Sequence, residues 1–224
     1  SLHDALPIYD CMITEHYVIV LDLPVTFSMA RYLAGYGFPY GWNTQHRARV
    51  GLLGKNAPGR DIVWCDVDPC YVFHPSNAFE NADGSVTLDV VAHPTMFDDS
   101  RIGPSAAGSK FERWRIDPKA RRVERQVIDA QPQEFPRPDE RFIGKPYRHA
   151  WTVQLKDDGS GEFVPDRCLI HHDLKDGGRE VHDFGPGRQV SEFVFTPRHV
   201  QATEGDGWLI GYVVDTAQLT SELI

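Results

Sequence analysis

The sequence has no apolar run approaching the roughly 18 residues that a membrane-spanning helix requires. Positive charge is not in excess either: 23 Lys and Arg face 32 Asp and Glu, for a net charge of -9. A general nucleic-acid binder needs a basic face to neutralise phosphates, so nucleic acid is excluded as a partner class. Cysteine is scarce. The four residues Cys11, Cys65, Cys70 and Cys168 form no CxxC pair and match no zinc-knuckle or zinc-finger spacing with His. They are expected to be buried, reduced thiols acting as small apolar groups. No secretory leader opens the chain, and this predicts a reducing, cytoplasmic location. No stretch carries a helical stripe, and no WD or kelch signature recurs.

Turn-forming residues, by contrast, are abundant. Sixteen Pro and 19 Gly in 224 residues exclude a helical bundle and favour short strands joined by turns. β-branched and apolar stretches predict strands over 16–22, 49–53, 61–67, 72–80, 85–92, 112–117, 122–128, 148–155, 168–174, 180–184, 193–196 and 208–215. Between them lie turn sequences such as Asn81-Ala-Asp-Gly84, Pro118-Lys-Ala-Arg121, Asp157-Asp-Gly159 and Lys175-Asp-Gly-Gly178. Residues 94–110 and 131–146 are expected to be long loops ordered by packing. The fold class is therefore all-β: a sandwich, barrel or propeller. At about 40–50 residues per propeller blade, the chain supplies about four blades, an incomplete ring.

The first eight residues stand apart. Ser-Leu-His-Asp-Ala-Leu-Pro-Ile is a reading frame of a common sequencing adapter, TCC CTA CAC GAC GCT CTT CCG ATC T. The final T would begin the codon of Tyr9; restoring C as its first base gives His, and restoring A or G gives Asn or Asp. Residues 1–8 are therefore set aside as an adapter artefact. Residues 9–224 are taken as a partial β-propeller domain, a fragment of a longer protein.

Among the polar residues, His171-His172-Asp173 looks like a metal cluster, but adjacent strand residues point to opposite faces. His46, His149, His182 and His199 are read as surface or packing residues. Glu204 and Asp206 are read as a solvated turn. Arg121, Arg122 and Arg125 are read as a charged strand edge that blocks further pairing.

Three stretches carry a family pattern. Tyr9-Asp-Cys-Met-Ile-Thr-Glu-His-Tyr17 resembles His-Asp-Phe-x-Ile-Thr-x-x-Tyr. Phe73-His-Pro-Ser-Asn-Ala-Phe-Glu80 is similar to Phe-His-x-x-Asn-Ala-Tyr-Glu. Glu134-Phe-Pro-Arg137 is followed by Gly144-Lys-Pro-Tyr147. Ser191-Glu-Phe-Val-Phe-Thr-Pro197 and Glu204-Gly-Asp-Gly-Trp208 continue the same order. Together they resemble the carotenoid cleavage oxygenases, a family that includes lignostilbene dioxygenases.

The resemblance implies part of a seven-bladed propeller with Fe(II) on its axis, held by four histidines and no carboxylate ligand. It makes His74 one ligand and puts Tyr9 where another ligand His belongs. Glu134 and Glu192 match glutamates that accept the ligand imidazoles' other N–H. The two remaining ligands would lie outside residues 9–224. His93, in Ala92-His-Pro94, superficially resembles a further ligand motif, but it is out of order and is read as structural.

The activity implied is Fe(II)-dependent cleavage, with O₂, of a conjugated C=C bond in a carotenoid or apocarotenoid, giving two carbonyl products. A lignostilbene-type stilbene is the second substrate class. A non-catalytic propeller that binds a ligand is the alternative if Tyr9 is genuine. An apolar polyene would also admit peripheral membrane contact for substrate access.

Overall fold

The computed structural model describes residues 9–98, 108–157 and 162–224. The adapter-like octapeptide, much of the 94–110 loop and most of the Asp157-Asp-Gly159 turn lie outside them. Consecutive strands pair with one another, as hairpin turns dictate, and build four antiparallel meanders.

The first meander runs β1 (Met12–Ile13), β2 (Tyr17–Asp22), β5 (Arg49–Gly54) and β6 (Val63–Asp66). A small hairpin, β3 (Val25–Phe27) with β4 (Tyr40–Trp42), is inserted after β2. Between its strands lies α1 (Met29–Leu33), a five-residue helix absent from the sequence reading. Ser28 caps it by accepting the Arg31 backbone N–H at 3.3 Å.

The second meander is β7 (Pro75–Glu80), β8 (Val86–Ala92), β9 (Lys110–Asp117) and β10 (Arg122–Asp129). Asn81-Ala-Asp-Gly84 and Pro118-Lys-Ala-Arg121 close its hairpins, with Gly84 at φ +84° and Arg121 at +54°. Outer strands β6 and β10 touch through a single parallel pair, Asp66 with Arg122. The third meander is β11 (Gln133–Pro138), β12 (His149–Leu155), β13 (Pro165–Asp173) and β14 (Gly178–Asp183). The fourth is β15 (Arg188–Pro197), β16 (Gly207–Asp215) and β17 (Thr220–Leu223).

The first strands of the four meanders pack in succession: β1 against β7, β7 against β11, and β11 against β15. This places four blade-like sheets side by side around their innermost strands, as the all-β, partial-propeller expectation requires. The first two sheets share one apolar core, from Met12 and Ile19 through Leu52 and Leu88 to Trp114 and Val123. Burying each such Leu, Ile or Val contributes about 1.5–3 kcal/mol. A second core joins the last two sheets through Val153, Leu169, Val190, Phe193 and Val213.

Beyond α1 and the short strands β1, β3, β4 and β17, other details also differ from the sequence reading. The 131–146 loop contains a strand, β11, despite Pro136 and Pro138. Both prolines are tolerated because β11 pairs on one side only and bulges between Glu134 and Arg137. Cys11 is exposed, whereas Cys65, Cys70 and Cys168 are buried, and all four are free thiols. Burial pushes the Cys70 thiol up to about 12. Arg125 is not a solvated edge charge. Its Nε and Nη2 hold both oxygens of buried Glu112, at 2.8 and 3.0 Å, and Glu112 also accepts the Trp114 indole N–H at 2.7 Å. Glu204 is not simply solvated, because it accepts the backbone N–H groups of Arg148 and His149 at 2.7 and 2.8 Å where β12 begins.

The reading of His171 and His172 is upheld. His171 stacks on Trp151 and meets His149 Nδ1 at 2.9 Å. His172 is buried on the other face, against Gln133 Oε1 at 2.8 Å and Thr152 Oγ1 at 3.2 Å.

Candidate metal centre

The innermost strands carry the residues singled out in the sequence. Tyr9 precedes β1, His74 precedes β7, Glu134 lies in β11 and Glu192 in β15. Several polar residues of the three main stretches turn out to be clasps between these strands.

Glu80 ties the first stretch to the second. Its Oε1 accepts the Thr14 hydroxyl at 2.6 Å and the His16 backbone N–H at 2.7 Å, and its Oε2 meets His16 Nδ1 at 2.9 Å. Its partial burial opposes ionisation, but these donors hold its carboxyl below the ordinary range. Asn77 ties the second stretch to the third. It donates to the carbonyls of Phe142 and Lys145 at 2.9 and 3.1 Å and accepts the Gly144 N–H at 3.0 Å. Gly144 sits at φ +80°, a region that favours glycine. Tyr147 donates to buried Asp89 at 2.7 Å, and Arg113 grips the same carboxylate with two bonds of 2.8 Å.

These clasps bring His74 and Glu134 together. The Nδ1–H of His74 donates to Glu134 Oε2 at 2.7 Å. Glu134 is fully buried, and its Oε2 also accepts the Phe135 backbone N–H at 2.7 Å. Phe135 lies at φ +54°, a left-handed conformation that costs about 1–3 kcal/mol for a non-glycine residue. The bulge turns that N–H back onto the carboxylate and lays the Phe135 ring 5.1 Å from the His74 ring. Burial opposes protonation of His74, but the Glu134 carboxylate outweighs it. Glu192 and Asp10 add to the effect, so the imidazole pKa is raised. Burial opposes ionisation of Glu134, but the hydrogen bonds from His74 and His93 outweigh it and hold its carboxyl below the ordinary range.

Tyr9 and His74 converge, with their ring centroids 5.2 Å apart and edge to face. Tyr9 itself is exposed. Glu192 reaches no imidazole among the described residues; its carboxylate lies 3.1 Å from Arg137 Nε, on the strand that carries Glu134. His93, read as structural, lies at the centre. Its Nε2 meets Glu134 Oε1 at 2.9 Å. The one signal that could have shown this was the hairpin itself, which sets residues 74 and 93 at its open end.

His74 presents Nε2 without a hydrogen-bond partner among the described residues, while a carboxylate fixes Nδ1 as the donor. A neutral imidazole in that tautomer is a suitable metal ligand. Among the described residues no group of three or more His, Cys, Asp and Glu could hold a metal ion. Among the described residues, His74, its carboxylate partner Glu134 and the adjoining Tyr9 ring meet at this centre.

Known proteins match the chain along nearly its whole length. The family described as RPE65, retinal pigment epithelial membrane protein, matches residues 2–224. The carotenoid cleavage oxygenase of Mycobacterium tuberculosis is 32% identical over 89% of this chain and 49% of its own length. The chain belongs to the carotenoid cleavage oxygenase family.

Solved structures of the family superpose closely. The lignostilbene dioxygenase of Pseudomonas brassicacearum matches with a TM-score of 0.86 at 26% identity, covering 98% of this chain and 49% of its own. A cobalt-substituted Synechocystis ACO matches with a TM-score of 0.84 at 27% identity, covering 97% and 46%. The chain thus spans about half the length of the relatives it matches. For this carotenoid cleavage oxygenase homologue, no helix among the described residues is long and apolar enough to cross a membrane.

Proposed function

We propose that the full-length protein is a non-haem Fe(II) dioxygenase that splits a conjugated C=C bond of a carotenoid or apocarotenoid with O₂ into two carbonyl compounds. The observation that carries this is the His74–Glu134 pair: an imidazole with one nitrogen committed to a buried carboxylate and the other left open. When bound, iron would supply the activation of O₂. His74 would hold it through Nε2, with Glu134 fixing the tautomer and strengthening the donor. Residue 9 adjoins the same position. A His there, which the adapter reading allows and the family motif carries, would be a second ligand, whereas a neutral phenol is a poor replacement. Glu192 would orient an imidazole contributed from outside this chain.

The chain's own residues also prepare for an apolar substrate. Phe73, Phe135 and Phe163 flank His74 and His93 with rings at 5.1–6.1 Å and make this side of the site apolar. Peripheral membrane contact belongs to the same proposal, and α1 supports it by exposing Met29, Tyr32 and Leu33, with Phe38 just beyond. A stilbene is the second substrate reading, favoured by the lignostilbene dioxygenase likeness.

The test uses the full-length gene product with His and with Tyr at position 9. Iron per chain is measured, and aldehyde products are sought from an apocarotenoid and from a stilbene, with and without O₂. The His form should bind iron and release O₂-dependent aldehydes. A full-length His form with neither iron nor product would leave the non-catalytic, ligand-binding propeller standing instead.

A further inference from the structure

Glu134 serves two imidazoles, and only one of them is placed to meet a metal. Oε2 accepts from His74 and from the Phe135 backbone, while Oε1 faces His93 Nε2 at 2.9 Å. The Glu134 and His93 side chains are both fully buried, whereas that of His74 is partly open.

His93 comes from the same hairpin as His74, on the opposite strand: β7 begins one residue after His74 and β8 ends one residue before His93. Paired backbone bonds to Tyr71, of 2.8 and 2.7 Å, clamp His93 at that end. Phe73 and Phe163 pack on its ring at 5.5 and 5.8 Å. Its Nδ1 is buried and has no partner among the described residues. A doubly protonated ring there would bury an unmatched N–H as well as a charge. The neutral Nε2–H tautomer leaves only a lone pair uncompensated. His93 therefore gives the Glu134 carboxylate a hydrogen bond from Nε2.

We propose that His93 is a positioning residue of the metal centre: it fixes the Glu134 carboxylate so that His74 turns Nε2 toward the metal. The inference rests on the metal-site reading above. Without the bond to Oε1, the carboxylate could rotate away from His74, and the imidazole would lose its fixed tautomer.

The full-length protein is compared as wild type, His93→Phe, His93→Gln, Glu134→Gln and the His93→Phe/Glu134→Gln double variant. Co(II) affinity is measured by chelator competition, alongside Tm. The ring ¹⁵N signals of His74 are recorded in the metal-free protein. His93→Phe, which fills the volume but donates nothing, should weaken Co(II) binding about 10–100-fold. It should also blur the His74 tautomer. His93→Gln keeps an N–H for Oε1 and should recover most of that loss. The double variant should bind no more weakly than Glu134→Gln alone, because both act through one carboxylate.

A His93→Phe protein with lowered Tm but wild-type affinity and an unchanged His74 signature would overturn the proposal. So would a double variant that falls below Glu134→Gln. If wild type binds no Co(II), the metal reading fails and the His74 signature alone decides for or against His93. If His93→Phe does not fold, His93→Gln against the shorter His93→Asn makes the same comparison, and equal affinities would overturn it.

Discussion

A carboxylate buried completely is stable only if its oxygens are saturated by donors, and Glu134 has three. Replacing it by Gln removes the charge and turns one acceptor into a donor that faces an imidazole. Glu134→Gln in the full-length protein should lower metal affinity about 10–100-fold, checked by iron content after dialysis against a chelator; unchanged content would reject its orienting role. A second prediction concerns pH. Burial lowers the His172 pKa to about 4 from an ordinary 6.5. The unfolded chain therefore takes up that proton first as pH falls. The associated stability is present above 6.5 and is lost down to about 4, an amount of about 3 kcal/mol. His172→Gln should flatten this part of the stability–pH profile in urea unfolding, whereas profiles that stay parallel would show that other groups govern the acid limb.

At the scale of elements, the hairpin that carries both His74 and His93 was legible because Asn81-Ala-Asp-Gly84 is flanked by alternating apolar residues. The His74–Glu134 pair was legible from the motifs. Strand β11 was not, because prolines at 136 and 138 mark a loop unless the strand is known to be unpaired on one side. The role of His93 was hidden for a related reason: its partner lies 41 residues away on another sheet, and no local pattern reports such a contact. Helix α1 is too short to show a periodic stripe, yet it exposes one apolar cluster. Met29→Asp with Leu33→Asp should reduce co-sedimentation with lipid vesicles several-fold and leave turnover of a detergent-dispersed substrate unchanged. Equal vesicle binding would remove α1 from substrate access.

Across the whole molecule, Tyr9, His74, Glu134 and Glu192 lie on or just before the first strands of the four meanders, and no single meander carries them all. Under the proposed function, half of a relative's length carries only part of the ligand set. The 224-residue chain alone should take up far less iron per mole than the full-length protein, as measured by metal analysis after desalting; equal uptake would mean that this half holds the metal by itself. Losing ligands also removes the stabilisation that metal binding lends to folding.

The bond between His74 and Glu134 spans 60 residues and two sheets. Each sheet can zip from its own hairpins over short loops, but this bond must wait until the second and third have docked. The tautomer of one imidazole is thus a clock for a late event on the folding path. A ring signal from His74 that matures after the hairpin amides are protected would time the docking of neighbouring blades.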